Sequence, residues 1–184
     1  MNLVIYFLLA HFLADYPLQP GKLVQLKMQR FLGVFIHGFV HLLVMLVILY
    51  PFLGDTKVWV AIGIVYVTHN LIDQTKVNLD KKNPGKAQFL YFLDQFLHWS
   101  MITGVSYYAG NPAPNLTGQA LDLYTNQNLV LYFLSMVIAT YFYDVTRYFV
   151  CLQEVGAHYQ RNYKTMLLNG FIVTVAFGVY WISL

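Results

Sequence analysis

Five of the six histidines in this chain sit in apolar stretches, each four residues from another histidine or an aspartate. The pairs are His11 with Asp15, His37 with His41, His69 with Asp73, and Asp94 with His98. Four residues is just over one helical turn, so both members of a pair project from the same helix face. Imidazole and carboxylate presented together from apolar helices are the donor set of a divalent-metal site, and four such helices can surround one polar pocket. Random placement of so few His and Asp gives about one such pair. Taken singly, a membrane His or Asp serves as a helix–helix hydrogen-bonding group. Four pairs in separate hydrophobic segments point to a shared metal site instead.

The elements that carry these pairs are dictated by solvent. A chain of 184 residues that is 58% hydrophobic, 17% aromatic and 10% charged cannot cover itself with a polar surface. It is expected to be an all-α polytopic membrane bundle forming a single domain over residues 1–184. The net charge of +3 supplies no basic face for nucleic acid. Cys151 is the sole cysteine, which excludes an intrachain disulfide and any cysteine-rich zinc site. A metal here must be held by imidazole and carboxylate.

Apolar segments predict about six transmembrane helices, over residues 1–18, 31–53, 57–77, 88–109, 128–149 and 165–184. The first four form the core carrying the paired residues (1–109), residues 110–127 form an external loop, and 128–184 supply two further helices. Proline- and glycine-containing turns separate the segments, as at Tyr16–Gly21, Pro51–Asp55, Asp80–Gly85 and Gly110–Pro114. The basic residues Lys22, Lys27 and Arg30, then Lys76, Lys81, Lys82 and Lys86, then Arg147, Arg161 and Lys164 fall at the first, third and fifth connections. Only Lys57 falls elsewhere. By the positive-inside rule those connections are cytoplasmic and both termini lie outside.

This topology brings the pairs to one depth. His11/Asp15 and His69/Asp73 close helices that run towards the cytoplasm, and His37/His41 and Asp94/His98 open helices that leave it. At a rise of about 1.5 Å per residue, all four pairs share the cytoplasmic half of the bilayer. An unpaired carboxylate in hydrocarbon costs at least a few kcal/mol, and a divalent cation removes that cost. The candidate ligands are therefore His11, Asp15, His37, His41, His69, Asp73, Asp94 and His98, and the candidate ions Zn, Mn or Fe. Eight donors exceed what one zinc takes, which favours two ions, with surplus groups orienting ligands or moving protons. Lys76, one turn from Asp73, and Arg147 are candidates to hold a substrate phosphate. The alternatives are a membrane anchor for Lys76 and a structural ion pair with Asp144 for Arg147. Gln74 and Gln95 are expected to point away from the pocket, and His158 to be solvated.

The run His11-Phe-Leu-Ala-Asp15-Tyr-Pro-Leu-Gln19, with His37-x-x-x-His41, His69-x-x-Ile72-Asp73-x-x-Lys76 and Asp94-Gln95-x-x-His98, resembles the bacterial membrane proteins grouped as domain-of-unknown-function family 3307, over roughly residues 5–105. The resemblance implies a multi-pass protein of the bacterial inner membrane. A more distant similarity is to the inner-membrane putative metal-dependent hydrolases, which also carry His-x-x-x-His near the start and His and Asp in later spans. The expected function is therefore a membrane-embedded metal-dependent hydrolase with a dinuclear His/Asp site, acting on a lipid or lipid-linked ester or phosphate. Two alternatives stand beside it. A di-iron lipid oxidase or hydroxylase would call for His-x-x-His-His clusters, which the chain lacks. A divalent-metal transporter or channel would need a polar path to both faces, whereas the outer halves of the helices read as apolar.

Overall fold

The computed structural model describes residues 3–155 and 160–183; His158 lies outside them. Apolar runs fold into helices because neither water nor lipid then has to satisfy their backbone groups. The helices are α1 (Leu3–Asp15), α2 (Gly21–Gln29), α3 (Phe31–Ile48), α4 (Thr56–Lys82), α5 (Ala87–Ala109), α6 (Gln119–Thr125), α7 (Gln127–Val137), α8 (Tyr143–Val155) and α9 (Tyr163–Ile182). A π turn over Ile138–Phe142 joins α7 to α8 without a break. Side-chain caps start three of these helices: Asp55 accepts from the Lys57 amide, Asn126 from Leu129 and Asn162 from Thr165. Gly110, at φ 69°, closes α5 in a conformation open to glycine.

Three helical stretches are long and apolar enough to cross a membrane: Phe31–Ile48, Gln127–Cys151 and Tyr163–Ile182. Helices α4 and α5, of 27 and 23 residues, have the length but carry the paired polar residues, which lower their mean hydropathy. α4 runs on to Lys82, past the end at 77 expected from the apolar run. Two connections are more ordered than the sequence implied. The first contains α2, and the segment 110–127 contains α6 rather than being loop throughout.

α1 packs against α3, α5 and α7, α3 against α4, and α4 against α5. Their apolar ends meet in one core that includes Leu3, Phe7, Met45, Phe52, Ile62, Ile102 and Leu134. The successive helices run in alternating directions, so the apolar half of each lies at one end of the bundle and its paired polar residues at the other. Along α1 and α4 the apolar residues come first and the pair last; along α3 and α5 the order is reversed.

Two glycines permit close helix approaches. A Cβ at Gly33 would collide with the backbone of Leu26 and Lys27, so glycine lets α2 fold back along α3. The corner is a single extended residue, Arg30. At Gly38 a Cβ would collide with the Asn70 side chain, and its absence brings α3 against α4 where the pairs lie.

Candidate metal centre

Helical spacing places each pair on one face, and the packing of α1, α3, α4 and α5 turns those faces inward. The rings of His11, His37, His41, His69 and His98 form one contiguous cluster. Centroids stand 3.8 Å apart for His41 and His69, 4.4 Å for His69 and His98, 4.6 Å for His37 and His41, and 5.1 Å for His11 and His98. All five side chains are buried. Asp15 sits at the rim, where its Oδ1 accepts from both His37 Nε2 and His41 Nε2 at 2.9 Å. Gln19 lies beyond, its amide nitrogen 3.1 Å from His37 Nδ1.

Hydrogen bonding leaves much of the cluster unsatisfied. His11 Nε2, both ring nitrogens of His69, His98 Nε2 and Asp94 Oδ1 are buried and make no hydrogen bond. Orphaned buried polar atoms are costly and rare, so their convergence in one place asks for a further partner. Several separations match a metal's first sphere better than a direct hydrogen bond. His11 Nε2 to Asp15 Oδ2 is 3.4 Å, His69 Nε2 to Asp73 Oδ2 3.5 Å, and His37 Nε2 to Asp73 Oδ2 3.6 Å. Ligand atoms about 2.0–2.1 Å from a tetrahedral ion stand about 3.3–3.4 Å from one another.

Two groups bring donors near enough to share an ion: Asp15, His37, His41 and His69, and His69, Asp73 and His98, with candidate donor atoms in each group lying within 4.8 Å of one another. Closing the widest such separation to a tetrahedral edge takes a shift of about 0.7 Å from each partner. His69 is common to both groups, and one imidazole nitrogen serves one ion. His98 is pre-set for the role, because Nδ1–H donates to the Asp94 carbonyl at 2.9 Å and leaves the Nε2 lone pair facing the cluster.

Lys27, on α2, reaches into the site and sets its ammonium 2.6 Å from Asp73 Oδ2. Burial alone would depress this ammonium, but the Asp73, Asp15 and Asp94 carboxylates outweigh that and hold its pKa above the ordinary lysine value. From the sequence, Lys27 reads only as an inside-facing charge. The available signal was its place on the same helical face as Leu23 in Leu23-x-x-Leu26-Lys27, which the fold turns towards α3 and α4.

Around the far side of Asp94 runs a hydrogen-bond chain. Gln95 Nε2 donates to Asp94 Oδ2 at 3.1 Å, and Tyr16 Oη donates to Gln95 Oε1 at 3.0 Å. Since Tyr16 has spent its one proton, Tyr91 donates to Tyr16 (3.3 Å) and Thr146 to Tyr91 (2.8 Å). The expectation that Gln95 points elsewhere is thereby corrected. Asp94 and Gln95 flank one helix edge about 100° apart, and the polar region is wide enough to take both. Gln74 instead donates to Asn78, along its own helix.

A cavity of about 520 Å³ opens beside the cluster, with Asp15, Asp94 and Lys27 on its inner wall and residues of α2 and α8 on the outer. Lys76 lines it but is held by Asp80 at 2.9 Å. Arg147 does not line it. Val145, Tyr148 and Phe149 form the inward face of α8, and Arg147 projects from another face, exposed and 3.6 Å from Asp144. Arg147, a candidate to hold a phosphate, is thus outside this cavity and paired with Asp144. The arginine that does line the cavity is Arg161.

Fold and site together define an all-α bundle, with helices of membrane-crossing length, built around a buried His/Asp cluster. The chain belongs to the family described as protein of unknown function DUF3307, whose model matches residues 3–125, from α1 to the last residue of α6. No curated protein and no solved structure matches the chain.

Proposed function

We propose that the protein is a membrane-embedded, metal-dependent hydrolase acting on a lipid or lipid-linked ester or phosphate. The observation that carries this reading is the charge and donor inventory of the cluster. Three carboxylates, Asp15, Asp73 and Asp94, face one ammonium, Lys27, and five clustered imidazoles, of which His11, His69 and His98 carry unbonded ring nitrogens. With neutral imidazoles two negative charges remain, and one divalent cation cancels them. Asp15, His37, His41 and His69 form the better site for that ion, being complete without displacing any other cation. Asp73 and His98 are the start of a second position, which fills only when Lys27 withdraws from Asp73. A dinuclear centre is therefore a second state of the same site.

Held by Asp15, His37, His41 and His69, a divalent ion would polarise a carbonyl or phosphoryl oxygen and lower the pKa of water towards neutrality. The protein's own groups do the rest. Asp94, lining the cavity with Oδ1 unbonded and Oδ2 held by Gln95, takes the proton of the attacking water. The water oxygen bonds to the carbonyl carbon or phosphorus, the bond to the ester oxygen breaks, and Asp94 passes the proton it took to that departing oxygen, returning to the carboxylate. Transport is the weaker reading, because Leu3, Phe7, Met45, Phe52 and Ile62 pack the opposite end of the bundle without a polar path.

In this reading α1, α3, α4, α5, α7–α8 and α9 are six crossings of a bacterial inner membrane, with both termini outside and the site in the cytoplasmic half. Supporting it, α4 and α5 expose apolar side chains away from the site, among them Trp59, Ile64, Val67 and Leu71, and Phe89, Phe92 and Phe96. A reporter fused after Leu184 is then external, and a cytoplasmic signal overturns the topology.

The deciding experiment is elemental analysis of detergent-purified protein beside a His37→Ala, His41→Ala double variant, with turnover of short-chain lipid esters and phosphates followed on both. About one zinc, manganese or iron per chain, lost in the variant together with turnover, is the expected result. Full turnover by metal-stripped protein overturns the reading.

A further inference from the structure

Of the three cations that line the cavity, two are committed. Lys27 is held by Asp73 at 2.6 Å and Lys76 by Asp80 at 2.9 Å. Arg161 has no carboxylate partner among the described residues. Two contacts position its guanidinium among the described residues: Nη2 donates to the Tyr16 carbonyl at 3.4 Å, and the group lies 5.1 Å from the centroid of the Tyr141 ring. The rest of the guanidinium fork is left for an anion, and a planar bidentate donor suits a tetrahedral oxyanion better than a point charge does.

The remaining walls describe the rest of the ligand. Val24 and Met28 of α2 face Tyr91 and Phe149, which stack at 4.2 Å with their planes 9° apart. The cavity is thus apolar along α2, α5 and α8, cationic at Arg161, and bounded by Asp15 and Asp94 of the cluster. Its volume is in the range of sites that enclose a small ligand. Apolar walls favour burial of an acyl chain and offer nothing to an inorganic anion.

We propose that this cavity binds the phosphate group of an amphiphile, with Arg161 as the residue that holds the phosphate and the α2–α8 walls receiving the first part of its chain. The proposal rests on the hydrolase reading for its chemical setting and narrows the substrate from any ester to a phosphate ester. It also gives the region after residue 125 a role in substrate selection, separate from the ligands on α1, α3, α4 and α5.

The test is calorimetric titration of the full-length, metal-loaded protein in detergent with dihexanoyl phosphatidic acid, dihexanoylglycerol and inorganic phosphate. The variants are Arg161→Gln, Arg161→Lys, Arg147→Gln and Val24→Trp, each checked for unchanged metal content. Phosphatidic acid is expected to bind and dihexanoylglycerol to bind at least tenfold more weakly. Arg161→Gln should weaken phosphatidic acid by about tenfold or more, with partial recovery in Arg161→Lys and no change in Arg147→Gln. Val24→Trp, which fills the apolar wall, should weaken the lipid and leave inorganic phosphate unaffected. Arg161-dependent inorganic phosphate binding as tight as the lipid's would uphold the anion site while overturning the amphiphile. Equal binding of phosphatidic acid to wild type and Arg161→Gln, or equal binding of dihexanoylglycerol, overturns the proposal. Loss of turnover with phosphatidic acid binding intact would instead count against the hydrolase reading.

Discussion

The two ends of the chain solve different problems. In α1, α3, α4 and α5 the helices bury polar residues at one end of the bundle, and close approach is permitted by Gly33 and Gly38. In α9, by contrast, Met166 is the one buried residue of the helix, and Leu167, Phe171 and Val179 are exposed. Its main anchorage is the π turn: Asn169 donates to the Ala139 carbonyl at 2.7 Å, satisfying backbone in a stretch of irregular helix. From the same turn, Phe142 packs edge-on against Phe12 (5.2 Å) and Tyr16 (5.5 Å), behind the cluster. The difference teaches that all eight candidate ligands belong to the family-matched part, 3–125, while the later helices wall the cavity and buttress α1.

The largest effect that tests this division comes from Asp15, the acceptor shared by His37 and His41. Asp15→Asn keeps the shape but removes the charge and turns one oxygen into a donor facing two imidazoles. Metal content and turnover should both fall by more than about tenfold, as read by elemental analysis and initial rates. Retained metal would move the centre away from the α1–α3 face.

A smaller change is expected at Lys27. Lys27→Met keeps the aliphatic stem and removes the ammonium from Asp73, so the cluster loses its resident cation. Metal content should rise from about one to about two ions per chain at saturating supply. An unchanged content would show that Lys27 does not compete for the Asp73 position.

Tyr91→Phe cuts the chain from Thr146 to Asp94 while leaving the ring stacked on Phe149. Turnover should drop about threefold to tenfold with metal content unchanged, since the variant touches the hydrogen bonds behind Asp94 and none of the ion's donors. Loss of metal in this variant would erase the distinction between the cluster and its support. The smallest effect belongs to α9. Leu167→Ala, 75% exposed, should leave metal content unchanged and turnover within about twofold, with stability altered by no more than about 0.5 kcal/mol.

How the chain declared its own site follows from which relations are local. The i, i+4 pairing of His11/Asp15, His37/His41, His69/Asp73 and Asp94/His98 is a property of helical pitch, so it is legible without neighbours. Alternating helix direction then carries the four pairs to one end of the bundle, and the apolar runs mark the helices that must do it. Tertiary structure decided the rest. Lys27 reaches Asp73 only because glycine at position 33 lets α2 double back. Gln95 meets Tyr16, which arrives from the turn after α1, and Arg161 rather than Arg147 lines the cavity because α8 presents Val145, Tyr148 and Phe149 inward. Each of these joins residues far apart in the chain, and periodicity reports which face of a helix a residue occupies but not which distant helix that face will meet.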